Sequence, residues 1–141
     1  MLPADDLPIQ SSGTVLSVFT ADDAANAHVL MARAYADGGG SVGPFDAWWS
    51  ALSSDAEYDP KAMFAIREGG RLVGFVHCWS SGFIKDLVVA PEHQRQGLGR
   101  ALVLRVFEYF TAAGREQVRL KVLRDNDKAI AFYRSLGMRN V

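Results

Sequence analysis

The chain has 141 residues, enough for one domain with its own core and with little room for a second. Apolar residues make up 49% and charged residues 22%, a globular balance, and the formal net charge of −1 gives no global attraction to nucleic acid or to an anionic membrane. The single cysteine, Cys78, excludes an intrachain disulfide and a multi-cysteine zinc site; this fits a reducing, cytoplasmic setting, and no apolar run approaches the ~20 residues of a membrane helix.

Residues 1–13, "MLPADDLPIQSSG", carry acids where a signal peptide would carry lysines, and read as a flexible leader to a single domain at 14–141. "TVLSVFT" (14–20) predicts a strand from its β-branched and aromatic content. Thr20 and Asp23 form a capping-box pattern that opens a helix running to about Tyr35, with Ala25, Val29, Ala32 and Leu30 expected inward. "GGGSVGP" ends it, and "FDAWWSALSS" (45–54) predicts a second, short helix. "AMFAIREGGRLVGFVHCW" (62–79) reads as a hairpin about a turn that tolerates positive φ. "FIKDLVV" (83–89) is a further strand, stopped by Pro91. From Gly97 the apolar period changes to three and four, giving a long amphipathic helix to about Gly114. "QVRLKVL" (117–123) alternates as a strand, and "NDKAIAFYRSLGM" predicts a last helix with Ala129, Ile130, Tyr133 and Leu136 on one face. The order β-α-α-β-β-β-α-β-α implies a mixed α/β sheet in which 83–89 and 117–123 run parallel across a helical crossover.

The stretch "PEHQRQGLGRAL" (91–102) carries the sharpest motif. A phosphate-binding P-loop would end in Gly-Lys-Ser/Thr, but Gly99 is followed by Arg100 and Ala101. A dinucleotide fingerprint would place a third glycine or alanine where Leu102 stands. What fits is a strand, then P-x-x-Q-x-x-G-x-G, then a helix. A helix beginning near Gly97 offers about four unpaired N–H groups and the positive end of its dipole. The glycines let a bulky anion approach, and Arg95 and Arg100 add charge, so the ligand expected is a pyrophosphate.

"LVVAPEHQRQGLGRALV" resembles the acetyl-coenzyme A motif of the GNAT N-acetyltransferase superfamily, and "LKVLRDNDKAIAFYRSLGM" resembles that family's second signature. Together they cover about 85–138. The resemblance implies a three-layer α/β/α fold, acetyl-coenzyme A as cofactor, and transfer of an acetyl group to a primary amine, either a small molecule or a protein lysine. It implies that the backbone of Leu87, Val88 and Val89 pairs with the pantetheine arm, on a strand that carries a bulge and diverges from its parallel neighbour. Gln94, Arg95, Gln96, Gly97, Leu98, Gly99 and Arg100 match the pyrophosphate loop. Asn126 matches an asparagine near the pantetheine, and Tyr133 a tyrosine that protonates the departing thiolate. The attacking amine must lose a proton; Asp86 is the first candidate base and His77 the second.

Family members that acetylate ribosomal-type N-termini often place a glutamate in the fifth strand. Here Lys121 stands there, which counts against that acceptor class. Phe45, Trp48 and Trp49 lie where the family often lines its acceptor pocket. The family fold adds one or two strands after the last helix, while three residues follow Met138. The edge of 117–123 is therefore expected to be covered by another segment or by a second copy, giving a homodimer. A non-catalytic acyl-coenzyme A sensor, or an interaction subunit with a vestigial loop, would carry the same motif.

Overall fold

The structure, a computed structural model, describes residues 8–9, 13–38 and 42–140. Much of the expected leader and the centre of the "GGGSVG" run lie outside these residues. Five strands form one sheet in the order β1 (Pro8–Ile9), β2 (Thr14–Val18), β3 (Tyr58–Glu68), β4 (Arg71–Trp79) and β5 (Ile84–Val89), every neighbouring pair antiparallel. Helices α1 (Ala24–Gly38) and α2 (Phe45–Ser53) cover one face, and α3 (Leu98–Ala112) the other.

Alternation along β3 divides the core. Ala62, Phe64 and Ile66 point to the α3 side with Leu102, Val106 and Phe110, while Met63 and Ala65 point to the α1 side with Met31 and Phe75. The β3–β4 turn is Gly69-Gly70, both at positive φ, as a two-residue hairpin of matching twist requires.

The capping box is present: the Thr20 N–H donates to the Asp23 carboxylate at 2.9 Å. Asp23 also receives the Arg67 guanidinium from β3, which in turn donates to Ser17 on β2. This pins the start of α1 to the sheet and sets its rotation. The buried stripe is Ala24, Ala27, Leu30 and Met31, whereas Ala25 and Ala32 face solvent and Val29 is 58% exposed. An alanine-rich helix offers two apolar stripes; of the residues expected inward only Leu30 lies on the buried one, beside the Asp23–Arg67 tie that anchors the helix start.

The second difference lies at 117–123. No continuous strand forms there. One parallel bridge, Phe83 to Arg119, is closed by Ile84 N–H to Arg119 C=O at 2.7 Å and Arg119 N–H to Gly82 C=O at 2.9 Å. The expected in–out alternation survives at Val118 and Leu120, which are half-buried, but beyond Arg119 the segment parts from β5. Helix α4 (Asp127–Ser135) follows, capped by Asn126, whose side-chain oxygen accepts from the Ala129 N–H at 3.2 Å. Gly137 closes it at φ 92°, with the Met138 N–H on the Tyr133 carbonyl at 3.1 Å. Phe132, Tyr133 and Leu136 pack α4 onto the α3-side core.

Gly82 guards this single bridge. It sits at φ 93°, and a Cβ there would stand 2.7 Å from the Gln117 carbonyl oxygen. Gly82→Ala is expected to destabilise the fold by about 1–3 kcal/mol through strain and loss of the bridge. Urea unfolding checks this, with Gly114→Ala, at positive φ but in open space, as the reference for the φ term alone.

Candidate active site

The parting of β5 from 120–123 opens a cleft of about 460 Å³. Ile84–Leu87 form one wall, Leu120–Leu123 the other, and Asn126, Ala129 and Tyr133 of α4 close it, with Tyr35 reaching in from α1. A bulge shapes the first wall. His77 pairs with Asp86 while the next residue, Cys78, pairs with Ile84, so Lys85 is the extra residue. Ile84 and Leu87, three apart, consequently pack on the α3 side. Asp86 and Val88 turn to the α1 side.

β5 is the last strand of the sheet, so its outer backbone edge faces the cleft. The Ala90 N–H bonds inward to Val73 of β4 at 2.8 Å. Antiparallel alternation then directs the polar groups of Val89 and Leu87 outward. The Val89 carbonyl confirms the direction, since it accepts the Gln94 side-chain amide at 3.3 Å.

At the end of that edge lies the glycine turn. Pro91–His93 form a single 3₁₀ turn, and Arg95 holds φ 64°, the one non-glycine residue at positive φ among the described residues. Gly97 caps α3 at φ 82°, and the Ala101 N–H to Gly97 is the first helical bond. The N–H groups of Arg95, Gln96, Gly97, Leu98, Gly99 and Arg100 have no acceptor among the described residues. Gly97 opens to empty space, and Gly99 lies under the Phe132 ring, 3.5 Å from where its Cβ would be. A row of unpaired donors beside an exposed turn suits a phosphate group.

Asp86 is nearly buried. It accepts from the Tyr35 hydroxyl at 3.2 Å and from the Lys85 ammonium at 2.8 Å. Burial, and then the charge of Asp86, push the Tyr35 phenol up to about 12. Tyr35 was not read as a site residue. Its position marked only the expected end of the helix, and nothing local signals a contact with a residue 51 positions away. Tyr133 is also held above the ordinary phenol value by burial, so it keeps its proton at neutral pH.

His77 stands elsewhere. It is 0% exposed, with Phe19 at 4.5 Å and Phe75 at 4.7 Å between ring centres, and Trp48 stacked at 6.0 Å. Neither ring nitrogen has a partner among the described residues. Although its backbone pairs with Asp86, its ring is not part of the cleft wall. Burial pushes its pKa down to about 4, against the opposing pull of Asp86. Cys78 is likewise buried, and burial pushes its thiol up to about 12, which removes it as a nucleophile. Phe45, Trp48 and Trp49 form an aromatic cluster with His28 and Phe19 on the α2 side.

Fold and cleft together define the class: a mixed α/β domain with a cleft beside the open edge of its last strand. A model of the acetyltransferase (GNAT) family matches residues 28–138, and the chain belongs to that family. The chain is 33% identical over 137 residues to the mycothiol acetyltransferase of Clavibacter sepedonicus, covering 92% of this chain and 44% of that protein. It is 28% identical over 142 residues to the streptothricin acetyltransferase of Streptomyces lavendulae, covering 92% and 72%. The crystal structure of the ribosomal-protein-S18-alanine N-acetyltransferase from Escherichia coli superposes with a TM-score of 0.76 at 25% identity, covering 91% of this chain and 79% of that one. The chain thus spans less than half the length of the mycothiol acetyltransferase. No helix among the described residues is long and apolar enough to cross a membrane.

The buried imidazole makes stability depend on pH. Unfolded, His77 takes a proton near 6.5; folded, only near 4. Between these values the unfolded chain binds the extra proton, so the contribution is complete above 6.5 and is lost as the pH falls toward 4. His77→Leu is expected to remove about 2 kcal/mol of the stability lost between pH 7 and pH 5. Urea unfolding of both proteins at the two pH values tests this.

Proposed function

We propose that this chain is an acetyl-coenzyme A-dependent N-acetyltransferase acting on a primary amine, a small molecule or a protein lysine. The observation that carries the reading is the outward backbone of Leu87 and Val89, followed within the same stretch of chain by the unpaired N–H groups of residues 95–100. A pantetheine arm suits the first part, pairing as an added strand, and a pyrophosphate the second, helped by Arg95 and Arg100. Gln94 already rests on the Val89 carbonyl and would move aside or share it.

Acetyl-coenzyme A supplies an activated thioester; the remaining work falls to the chain. The Val89 N–H faces the place where negative charge develops on the carbonyl oxygen. Tyr133, protonated and in the cleft wall, donates to the leaving sulfur. Asp86 takes the proton of the attacking amine, and its carboxylate also attracts the cationic form of that amine into the cleft. We assign this role to Asp86 and not to His77, whose nitrogens are sealed among aromatic rings. Asn126 spends its oxygen on the cap of α4 and keeps its amide N–H₂ for the pantetheine.

The acceptor is read no more narrowly than a primary amine. Lys121 lies on the cleft wall where ribosomal-type members carry an acid, so an N-terminal α-amine is disfavoured. The buried thiol of Cys78 suits the cytoplasm. A homodimer belongs to the same reading, because Val122 and Leu123, the latter 74% exposed, leave an apolar margin beside the cleft. Sedimentation showing only monomer at high micromolar concentration would remove that part.

Coenzyme A at about 100 times its Kd is expected to stabilise the protein by about 2.7 kcal/mol, seen as a raised Tm. Tyr133→Phe is expected to lower kcat by about 10²-fold or more with coenzyme A affinity unchanged. Free-thiol release across an amine panel measures the first effect and calorimetric titration the second. No thiol release with any amine, in a protein that still binds coenzyme A, would leave only a sensor.

A further inference from the structure

Lys85 is the cleft residue that the reaction above leaves without a part. It is the bulged residue of β5, the extra residue between Ile84 and Asp86. Its ammonium donates to Asp86 at 2.8 Å and lies 6.0 Å from the centre of the Trp79 ring. Its side chain is 31% exposed and lines the same cleft as Tyr133. Lys121 lines the opposite wall but makes no ion pair among the described residues, so the two lysines share a location and differ in surroundings. Of the two, Lys85 alone has a carboxylate in contact, and the phenol of Tyr133 lies in the cleft that both line.

We propose that Lys85 is itself an acetyl acceptor: the protein acetylates this side chain from an acyl thioester held in its own cleft. The inference rests on the acetyl-transfer reading above. The Lys85 ammonium passes a proton to Asp86 Oδ2, its hydrogen-bond partner. The freed nitrogen lone pair forms the N–C bond to the thioester carbonyl, and the nitrogen sheds a second proton to solvent as the amide forms. The C–S bond breaks, and sulfur leaves with the bonding pair and takes the proton of the Tyr133 hydroxyl. The proton on Asp86 returns to the tyrosinate through solvent. The products are an amide at Lys85 and a free thiol.

The modification has an electrostatic consequence. An acetylated Lys85 no longer neutralises Asp86, which keeps only the Tyr35 hydroxyl. The carboxylate is then free to receive the ammonium of an incoming amine, so self-acetylation clears the acceptor end of the cleft.

The test incubates the full chain with acetyl-coenzyme A and no amine, and follows acetylation at Lys61, Lys85, Lys121 and Lys128 by peptide mass spectrometry. Lys85 is expected to react at least about tenfold faster than the other three, and excess coenzyme A to suppress Lys85 and not Lys61 or Lys128. Asp86→Asn is expected to slow Lys85 about tenfold or more without changing Lys61 or Lys128. A readout independent of turnover is protection: saturating coenzyme A shields Lys85, and not Lys61 or Lys128, from acetic anhydride. Modification of Lys85 no faster than of Lys61 and Lys128, or an unshielded Lys85, overturns the proposal. If an added amine still releases thiol in that preparation, the acetyl-transfer reading stands and only self-acetylation falls. If no amine releases thiol and coenzyme A leaves the Tm unchanged, both fall.

Discussion

The structure turns on one backbone pairing that is made and then abandoned. Ile84 and Arg119 hold the end of β5 to the segment after α3, and one residue later the two chains separate. A sheet would ordinarily continue, because unpaired edge groups are costly to bury and hazardous to expose. Here the bulge at Lys85 turns β5 while α4 wedges Phe132 and Tyr133 beneath the gap. The edge left open is neither buried nor paired, and everything said of the cleft follows from that.

The surrounding fold exists to hold this edge still. Phe64, Phe75 and Phe110 are essentially fully buried on the two sides of the sheet, each worth about 3–5 kcal/mol against truncation to alanine. α3 packs on the sheet at Gly74, where a Cβ would lie 3.6 Å from Leu102 of α3 and 3.2 Å from the Val88 carbonyl of β5. The N-terminus of α3 is thereby fixed relative to β5, and the donors of residues 95–100 stand at a set distance from the Leu87–Val89 backbone. His77 shows the opposite use of burial. Its imidazole has been given up to packing, unpaired and neutral, in a layer otherwise made of aromatic rings.

Much of this was legible in the sequence. The glycine turn, the hairpin at Gly69-Gly70, the capping pair Thr20–Asp23 and both C-terminal helices follow from local chemistry, because each depends on residues within a turn or two. The phase of α1 was not legible, since two alanine stripes compete and a distant arginine, Arg67, decides between them. The strand at 117–123 was misread for a related reason: its alternation is real, but a strand also needs a partner, and the bulge that turns the partner away lies far earlier in the chain, at Lys85. Asp86, the expected base, lies on the cleft wall, on a strand whose motif is local. The contact of Tyr35 with it joins residues 51 apart and has no local signal.

Helix α1 touches β5 near both of its ends. Arg33 pairs with Glu92 just past the strand, at 2.7 Å, and Tyr35, half a turn on, pairs with Asp86 near the strand's start. Both attachments leave from a single turn of α1, so the carboxylate of Asp86 and the turn after β5 are referred to one common piece of backbone.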